Sequence, residues 1–368
     1  MRKKWMNVLT VAFLSVSITA CGSAQKNSSD PTPSATTATN AKPTTGTSNS
    51  QNSSPVILYT ADEGGSITKI DATTYKVIKS IDIDGSVHNV QISPDGKTVG
   101  VTVVPTMGEM EEGAENEQSE HEMNGYAYFF STSSDELIQK VEVGAHPAHI
   151  VFTNDGKYVL VTNNEGNDAS VIDAKSLKIV NSIPTGTGPH GFRISTDSKY
   201  AYIANMAEDT VSVLDLDAMN EKQKISVGNT PVTTGITSDG KILVVPLNAE
   251  NAAAVVDLDS SNITKVPVGN GPAQVYISAD NKYAVIANQG TEENPSHSIS
   301  KIDLVTKQVT ATTETGTGAH GVVINPDGSK IFVTNMFDNT VTVIDNETNQ
   351  VITTINVGAT PNGISITP

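Results

Sequence analysis

From residue 55 to residue 368 the chain alternates short apolar runs with small polar clusters, and the runs recur. One run reads VILYTAD (56–62), TVGVTVV (98–104), YVLVTNN (158–164), YAYIANM (200–206), ILVVPLN (242–248), YAVIANQ (283–289) and IFVTNMF (331–337). A second, glycine-led motif also occurs seven times, as in GSVHNVQIS, GAHPAHIVF, GTGPHGFRI and GTGAHGVVI. Its leading glycines are Gly85, Gly144, Gly186, Gly228, Gly269, Gly316 and Gly358, spaced by 59, 42, 42, 41, 47 and 42 residues. Self-similarity at such a period marks a repeat architecture. Each repeat holds four β-branched-rich runs bounded by Gly, Pro, Asn and Asp, which predicts four strands. Asp-Gly turns in SPDG (93–96), TSDG (237–240) and NPDG (325–328) close the first hairpin of their repeats. No helical periodicity occurs after residue 20. Seven such repeats predict an all-β chain: a seven-bladed β-propeller of four-stranded antiparallel blades. The chain starts at a second strand (56–60) and finishes at a first strand (363–367). The C-terminal strand is therefore expected to complete the N-terminal blade, which removes open edges.

The N-terminus follows different rules. Arg2, Lys3 and Lys4 precede the apolar run VLTVAFLSVSITA (8–20). Thirteen residues are short of the roughly 20 that a spanning helix needs, and the arrangement is that of a secretory signal peptide. ITAC (18–21) resembles the bacterial lipobox. That resemblance implies removal of residues 1–20, a lipid on Cys21 and an extracytoplasmic protein anchored to the bacterial cell membrane. Cys21 is the single cysteine, so its modification leaves no thiol for a disulfide or a thiolate metal site. Residues 22–54 are rich in Ser, Thr, Asn and Pro and too polar to fold. They are expected to form a disordered tether that reaches about 30 Å. The domains are then 1–20, 21–54 and 55–368.

The formal charge is −17, and loss of the three N-terminal cations makes it −20. Such a polyanion is not expected to bind nucleic acid phosphates. It does attract cations. A monomer is expected.

YVLVTNN, with TVSVLD (210–215), TVTVID (340–345) and the SPDGK-like turns, resembles the YVTN-repeat β-propellers, which are bacterial and archaeal surface or extracytoplasmic proteins. The resemblance covers residues 55–368 and speaks for fold more than for function. A related propeller forms part of nitrous oxide reductase, where histidines hold a copper cluster. This sequence lacks that enzyme's cysteine-bearing copper domain, so the activity does not carry over.

The repeat sorts side chains by face. The SPDG turns lie on one face, the bottom. The glycine-led loops and those after the YVTN-like runs lie on the other, the top. All seven histidines fall on the top: His88, His146, His149, His190 and His320 by the glycine-led loops, His121 and His297 after YVTN-like runs. Aligned on the SPDG turns, His88, His190 and His320 hold equivalent places at the start of the innermost strand, and His149 lies one residue off. A methionine follows sixteen residues after two of them, pairing His190 with Met206 and His320 with Met336 within a hairpin. Imidazole and thioether suit copper, Cu(I) in particular. The candidate metal ligands are thus His88, His149, His190, His320, Met206 and Met336. Against this, the blades with the equivalent histidines are spread around the ring and need not converge. The histidines would then bond loop carbonyls and the methionines fill the channel mouth.

The 59-residue spacing contains PTMGEMEEGAENEQSEHEMNGY (105–126), with seven Glu and no Lys or Arg. It is expected to be an insertion between the second and third strands of its blade, beside His88. Met107, Met110, His121 and Met123 are its candidate soft donors. The loop 290–298 is the other long one. Six recurrent aspartates, Asp71, Asp173, Asp215, Asp257, Asp303 and Asp345, are expected to bond turn backbone. No GxSxG, HExxH or P-loop occurs, and no catalytic residue is assigned. The readings left open are a binding module for a protein or small ligand on the top face, with copper as the specific candidate, a metal-independent adhesion scaffold, and a lactonase-type hydrolase. The last is weakened by a lack of cations to grip a phosphate, since Arg193 is the sole propeller arginine.

Overall fold

The computed structural model describes residues 55–106 and 124–368. The lipobox, the tether and the loop donors Met107, Met110, His121 and Met123 lie outside the described residues. Seven four-stranded antiparallel sheets form the ring. Blade 1 holds residues 57–82 with 361–366, and blades 2 to 7 hold 86–145, 147–184, 189–226, 235–267, 272–314 and 319–356. Among the described residues the one other element is a short 3-10 turn, Asn248–Glu250. No helix among the described residues is long and apolar enough to cross a membrane.

The blades form because the YVTN-like strand is buried on both faces. Tyr158–Asn163, Tyr200–Asn205 and Lys330–Asn335 are each buried from their second residue to their last. Continuous burial needs a neighbour on each side. Seven hydrophobic clusters supply it, one in each gap between adjacent blades. Between blades 7 and 1, for example, Phe332, Val341 and Val343 pack against Leu58, Ile70 and Ile364.

Closure occurs as the sequence predicts. Ile57–Asp62 pairs with Pro361–Ile366 in the register Leu58↔Ile366 to Asp62↔Pro361. Ring closure thus joins strands from the two ends of residues 57–366. The bottom turns also behave as expected. Asp71 Oδ1 accepts from Thr73 and Thr74 backbone N–H groups, Asp215 Oδ1 from Asp217 and Ala218, and Asp345 Oδ1 from Thr348. Gly96, Gly240 and Gly328 take φ of +70°, +72° and +74°, the left-handed conformation their turns require. One expectation changes. The stretch 290–298 is mostly strand, because Tyr283–Gly290 and Pro295–Asp303 pair as far as Gly290↔Pro295.

The inter-blade packing sets the stability. Phe332 is fully buried, and Phe332→Ala should cost about 3–5 kcal/mol. Chemical denaturation of residues 55–368 measures this. A loss under 1 kcal/mol (about a fifth of the upper value) would mean the gap between blades 7 and 1 is not a close-packed core.

Candidate metal centre

The innermost strands of blades 2, 3, 4 and 7 open with a β-bulge. The register shifts between Val87 and Asn89, Pro147 and Ile150, Pro189 and Phe192, and Ala319 and Val322. A bulge sets consecutive side chains free of strict alternation. Two successive residues there can therefore face the channel. His88 and His190 occupy the first such place in blades 2 and 4, and His149 occupies the second in blade 3. The three histidines thus come from three successive blades. Their imidazoles meet at the channel axis. One ring nitrogen from each lies within 4.8 Å of the others, and ring centroids are separated by 4.9 Å (His149–His190), 5.2 Å (His88–His190) and 5.9 Å (His88–His149). The expected spread around the ring is corrected here. It overlooked that His149's blade lies between those of His88 and His190.

The outer nitrogens fix the tautomers. His88 Nδ1 lies 2.7 Å from Glu63 Oε1 and donates to it. His190 Nδ1 donates to Val232 O at 3.0 Å. His190 Nε2 then carries no proton, and it faces His88 Nε2 at 3.1 Å. His149 is fully buried, and neither of its ring nitrogens has a hydrogen-bond partner among the described residues. Buried polar atoms without partners are uncommon and call for an explanation. Burial, then the neighbouring His190 and His88, push the His149 imidazole well below the ordinary histidine range. Burial and the charge of His88 push His190 down to about 3. Glu63 remains ionised. Burial raises its pKa, but the hydrogen bond and charge of His88 and the Asn362 amide outweigh that and hold it below its usual value.

Glu63 escapes a reading confined to one hairpin. It holds the place that Met206 and Met336 hold in their blades, just after the YVTN-like run. Residues at that place reach into the following blade: Glu63 to His88, Asn164 Nδ2 to Pro189 O, Asn248 Nδ2 to Pro272 O, Gln289 Nε2 to Met336 Sδ. A carboxylate after the first YVTN-like run, one blade before His88, is the signal that would have found it.

The other candidates are placed apart. His320 is buried at the same level, but it stands outside the three-histidine group. Its Nδ1 lies 3.2 Å from Asn362 O and 3.3 Å from Gln274 Nε2. Met336 is buried, with its sulfur accepting from Gln289 Nε2 at 3.2 Å. Met206 is half-buried and its backbone N–H donates to Gly188 O. The thioethers are thus not seen joining the trio. His146 and His297 are exposed.

With this geometry in view, comparison with known proteins becomes informative. A model of the Choice-of-anchor I domain matches residues 47–267, more than half of the 368-residue chain. The chain belongs to the Choice-of-anchor I domain family. A model of the YNCE-like beta-propeller matches residues 236–367 of this Choice-of-anchor I protein. No curated protein matches it in sequence. Several solved structures share its fold. Hydrazine synthase of Kuenenia stuttgartiensis is 20% identical over 77% of this chain and 90% of its own, with a TM-score of 0.64. A functionally unknown protein from Desulfotomaculum acetoxidans DSM 771 is 15% identical over 84% and 98%, at 0.69. A putative 6-phosphogluconolactonase from Bacteroides fragilis NCTC 9343 is 16% identical over 87% and 99%, at 0.66. At these identities the likeness establishes the propeller fold.

The buried imidazoles make the metal-free Choice-of-anchor I propeller acid-sensitive in a defined window. Burial pushes His320 down to about 4, so the native state refuses protons that the unfolded chain accepts below about pH 6.5. Their stabilising effect is complete above that pH and is lost as pH falls toward the folded values. Each such histidine adds a slope of up to about 1.4 kcal/mol per pH unit. Denaturant unfolding in chelator should therefore show a steep fall between roughly pH 6.5 and 4, shallower in His320→Gln by about one proton. An unchanged slope in that variant would count against a neutral native His320.

Proposed function

We propose that this protein is a lipid-anchored, extracytoplasmic propeller that binds a copper-type metal ion through His88, His149 and His190. One observation carries the reading. Three imidazoles from successive blades each place a ring nitrogen within 4.8 Å of the other two, and His88 Nε2 and His190 Nε2 are 3.1 Å apart. Two ring nitrogens at that range need a proton or another cation between them. In a tetrahedral site with metal–nitrogen bonds of about 2.0–2.1 Å, ligand nitrogens are about 3.3 Å apart. His149 supplies a third donor with no competing partner. Glu63 bonded to the outer nitrogen of His88, and Val232 O to that of His190, are the outer-shell contacts that orient metal-binding histidines.

Three neutral imidazoles suit copper and zinc alike, and copper(II) binds such donors more tightly. The acidic surface raises the local cation concentration. Three protein donors leave a fourth position free for water or a ligand, which keeps a hydrolytic role in view as the second reading. The likeness to a putative lactonase is compatible with it. In the lipid-anchored reading, Cys21 attaches the chain to the membrane and residues 22–54 hold the propeller off it. Top-face donors then face the extracytoplasmic space.

Calorimetric titration of the chelated propeller with Cu(I), Cu(II) and Zn(II) tests the site. Binding at a stoichiometry of one is expected, abolished or reduced most by His149→Ala and lowered about 10–100-fold by Glu63→Gln. Unaltered affinity in His149→Ala would sink the proposal, and a proton held between His88 and His190 would then account for the short contact. Attachment is tested separately. Cys21→Ser should move the protein from the membrane fraction to the soluble fraction, whereas continued membrane retention would rule out the lipid.

A further inference from the structure

Below the histidines the channel widens into a cavity of about 760 Å³ that opens at the bottom face. Arg193, Gln274, Tyr276 and Asn89 are among its walls. Arg193 is the only arginine in residues 55–368. Every other propeller cation is a lysine, and those in ion pairs sit with carboxylates, as Lys69 does with Asp135 and Lys330 with Asp345. Arg193 has no carboxylate within 4.0 Å among the described residues. Its one protein acceptor is the neighbouring Phe192 O, bonded to one terminal guanidinium nitrogen at 2.9 Å. A guanidinium has five N–H donors in a flat fork. Most of that fork is therefore unmatched, in a channel position where a bare charge is costly.

The surroundings do not supply a counter-charge. Gln91 Oε1 is taken by the Phe152 N–H, and the Thr234 hydroxyl oxygen by Arg193's own backbone N–H. Asp280 and Asp327 are at the outer rim. Asp280 is engaged by Lys282 and Ser278, and Asp327 by the Ser329 N–H. The Tyr276 hydroxyl also lacks a hydrogen-bond partner among the described residues, and Gln274 contributes an amide. A forked cation, a phenol and an amide on one cavity wall form a donor-rich surface. We propose that this lower channel is a small-anion site, in which Arg193 grips the oxygens of a carboxylate or a phosphate and Tyr276 adds a hydroxyl donor. Arginine in place of lysine fits, because its planar fork matches two oxygens at once. The cavity volume suits a small organic acid or phosphate ester. This site is separate from the metal centre, and its test needs no metal.

Melting of the propeller is followed during titration with inorganic phosphate and, in a second arm, succinate, with ionic strength held constant by chloride. At least one anion should give a saturable rise in melting temperature, and the stronger arm identifies phosphate or carboxylate as the preferred group. Arg193→Gln should abolish the rise, while Arg193→Lys should weaken it. Without anion, Arg193→Gln should melt no lower than the parent, since it removes an uncompensated charge. His149→Ala should keep the anion response. The proposal is overturned by no saturable rise in either arm, by an equal rise in Arg193→Gln, or by loss of the response in His149→Ala, which would move the anion to the metal. Should Arg193→Gln fail to fold, calorimetry on the parent and Arg193→Lys decides. Equal affinity in the two would remove any role for the fork.

Discussion

Everything in this molecule depends on closing a ring from blades that cannot be stable alone. Each YVTN-like strand is apolar on both faces, so each blade needs two neighbours. Seven inter-blade clusters meet that need only if the last blade finds the first. The seam between Ile57–Asp62 and Pro361–Ile366 is thus the constraint under which all other contacts form. Its consequences reach the channel. Glu63, one residue past the first seam strand, and Asn362, within the second, converge on the same carboxylate–imidazole contact. Glu63 Oε1 accepts from Asn362 Nδ2 at 2.8 Å as well as from His88 Nδ1 at 2.7 Å. The orientation of His88 is therefore set by residues almost 300 positions apart, and it exists only in the closed ring.

This explains which features the sequence made legible. Blade number, strand count, closure and the turn aspartates all follow from local patterns that repeat, and each repeat tests the same inference again. The face carrying the histidines follows from the same periodicity. The convergence of His149 with His190 does not. Alignment places them one residue apart, which in a regular strand would set them on opposite faces. The bulge between Pro147 and Ile150 removes that rule, and nothing in PAHIVF announces a bulge. Glu63 was hidden for a different reason. A hairpin-based reading looks for partners within one blade, whereas the residue after the YVTN-like run bonds into the next. The hairpin-based reading also paired Met336 with His320, whereas the Met336 sulfur accepts from Gln289 of the preceding blade.

The buried imidazoles also have a cost that the fold must carry. Four histidines close to the axis, all without a positive charge of their own in the case of His149, His190 and His320, forgo hydration that the unfolded chain would keep. His190 and His320 recover part of it through backbone carbonyls, Val232 O and Asn362 O. His149 recovers none of it from the described residues. A side chain that packs for volume alone would be served as well by Leu or Phe, which bring no polar atoms. Imidazole at the most enclosed of the four places therefore suits the proposed site, where a cation would accept its lone pair.

Charge then links the two ends of the channel. In the proposed site a divalent ion on three neutral imidazoles would keep its full positive charge, with Glu63 bonded to the outer nitrogen of His88. Arg193 lies near enough beneath His149 for its charge to disfavour protonation of that ring. Two cationic centres stacked in one narrow channel repel, and the repulsion is poorly screened away from bulk water. The acidic exterior offsets this only at long range. An anion in the lower cavity would lie between Arg193 and solvent, neutralise the lower charge and so ease metal binding above it. The coupling would be reciprocal, since each ligand would then favour the other by the same factor. The channel is in this sense one electrostatic unit, with imidazoles at the top, a forked cation at the bottom and, among the described residues, no carboxylate bonded to either His149 or Arg193.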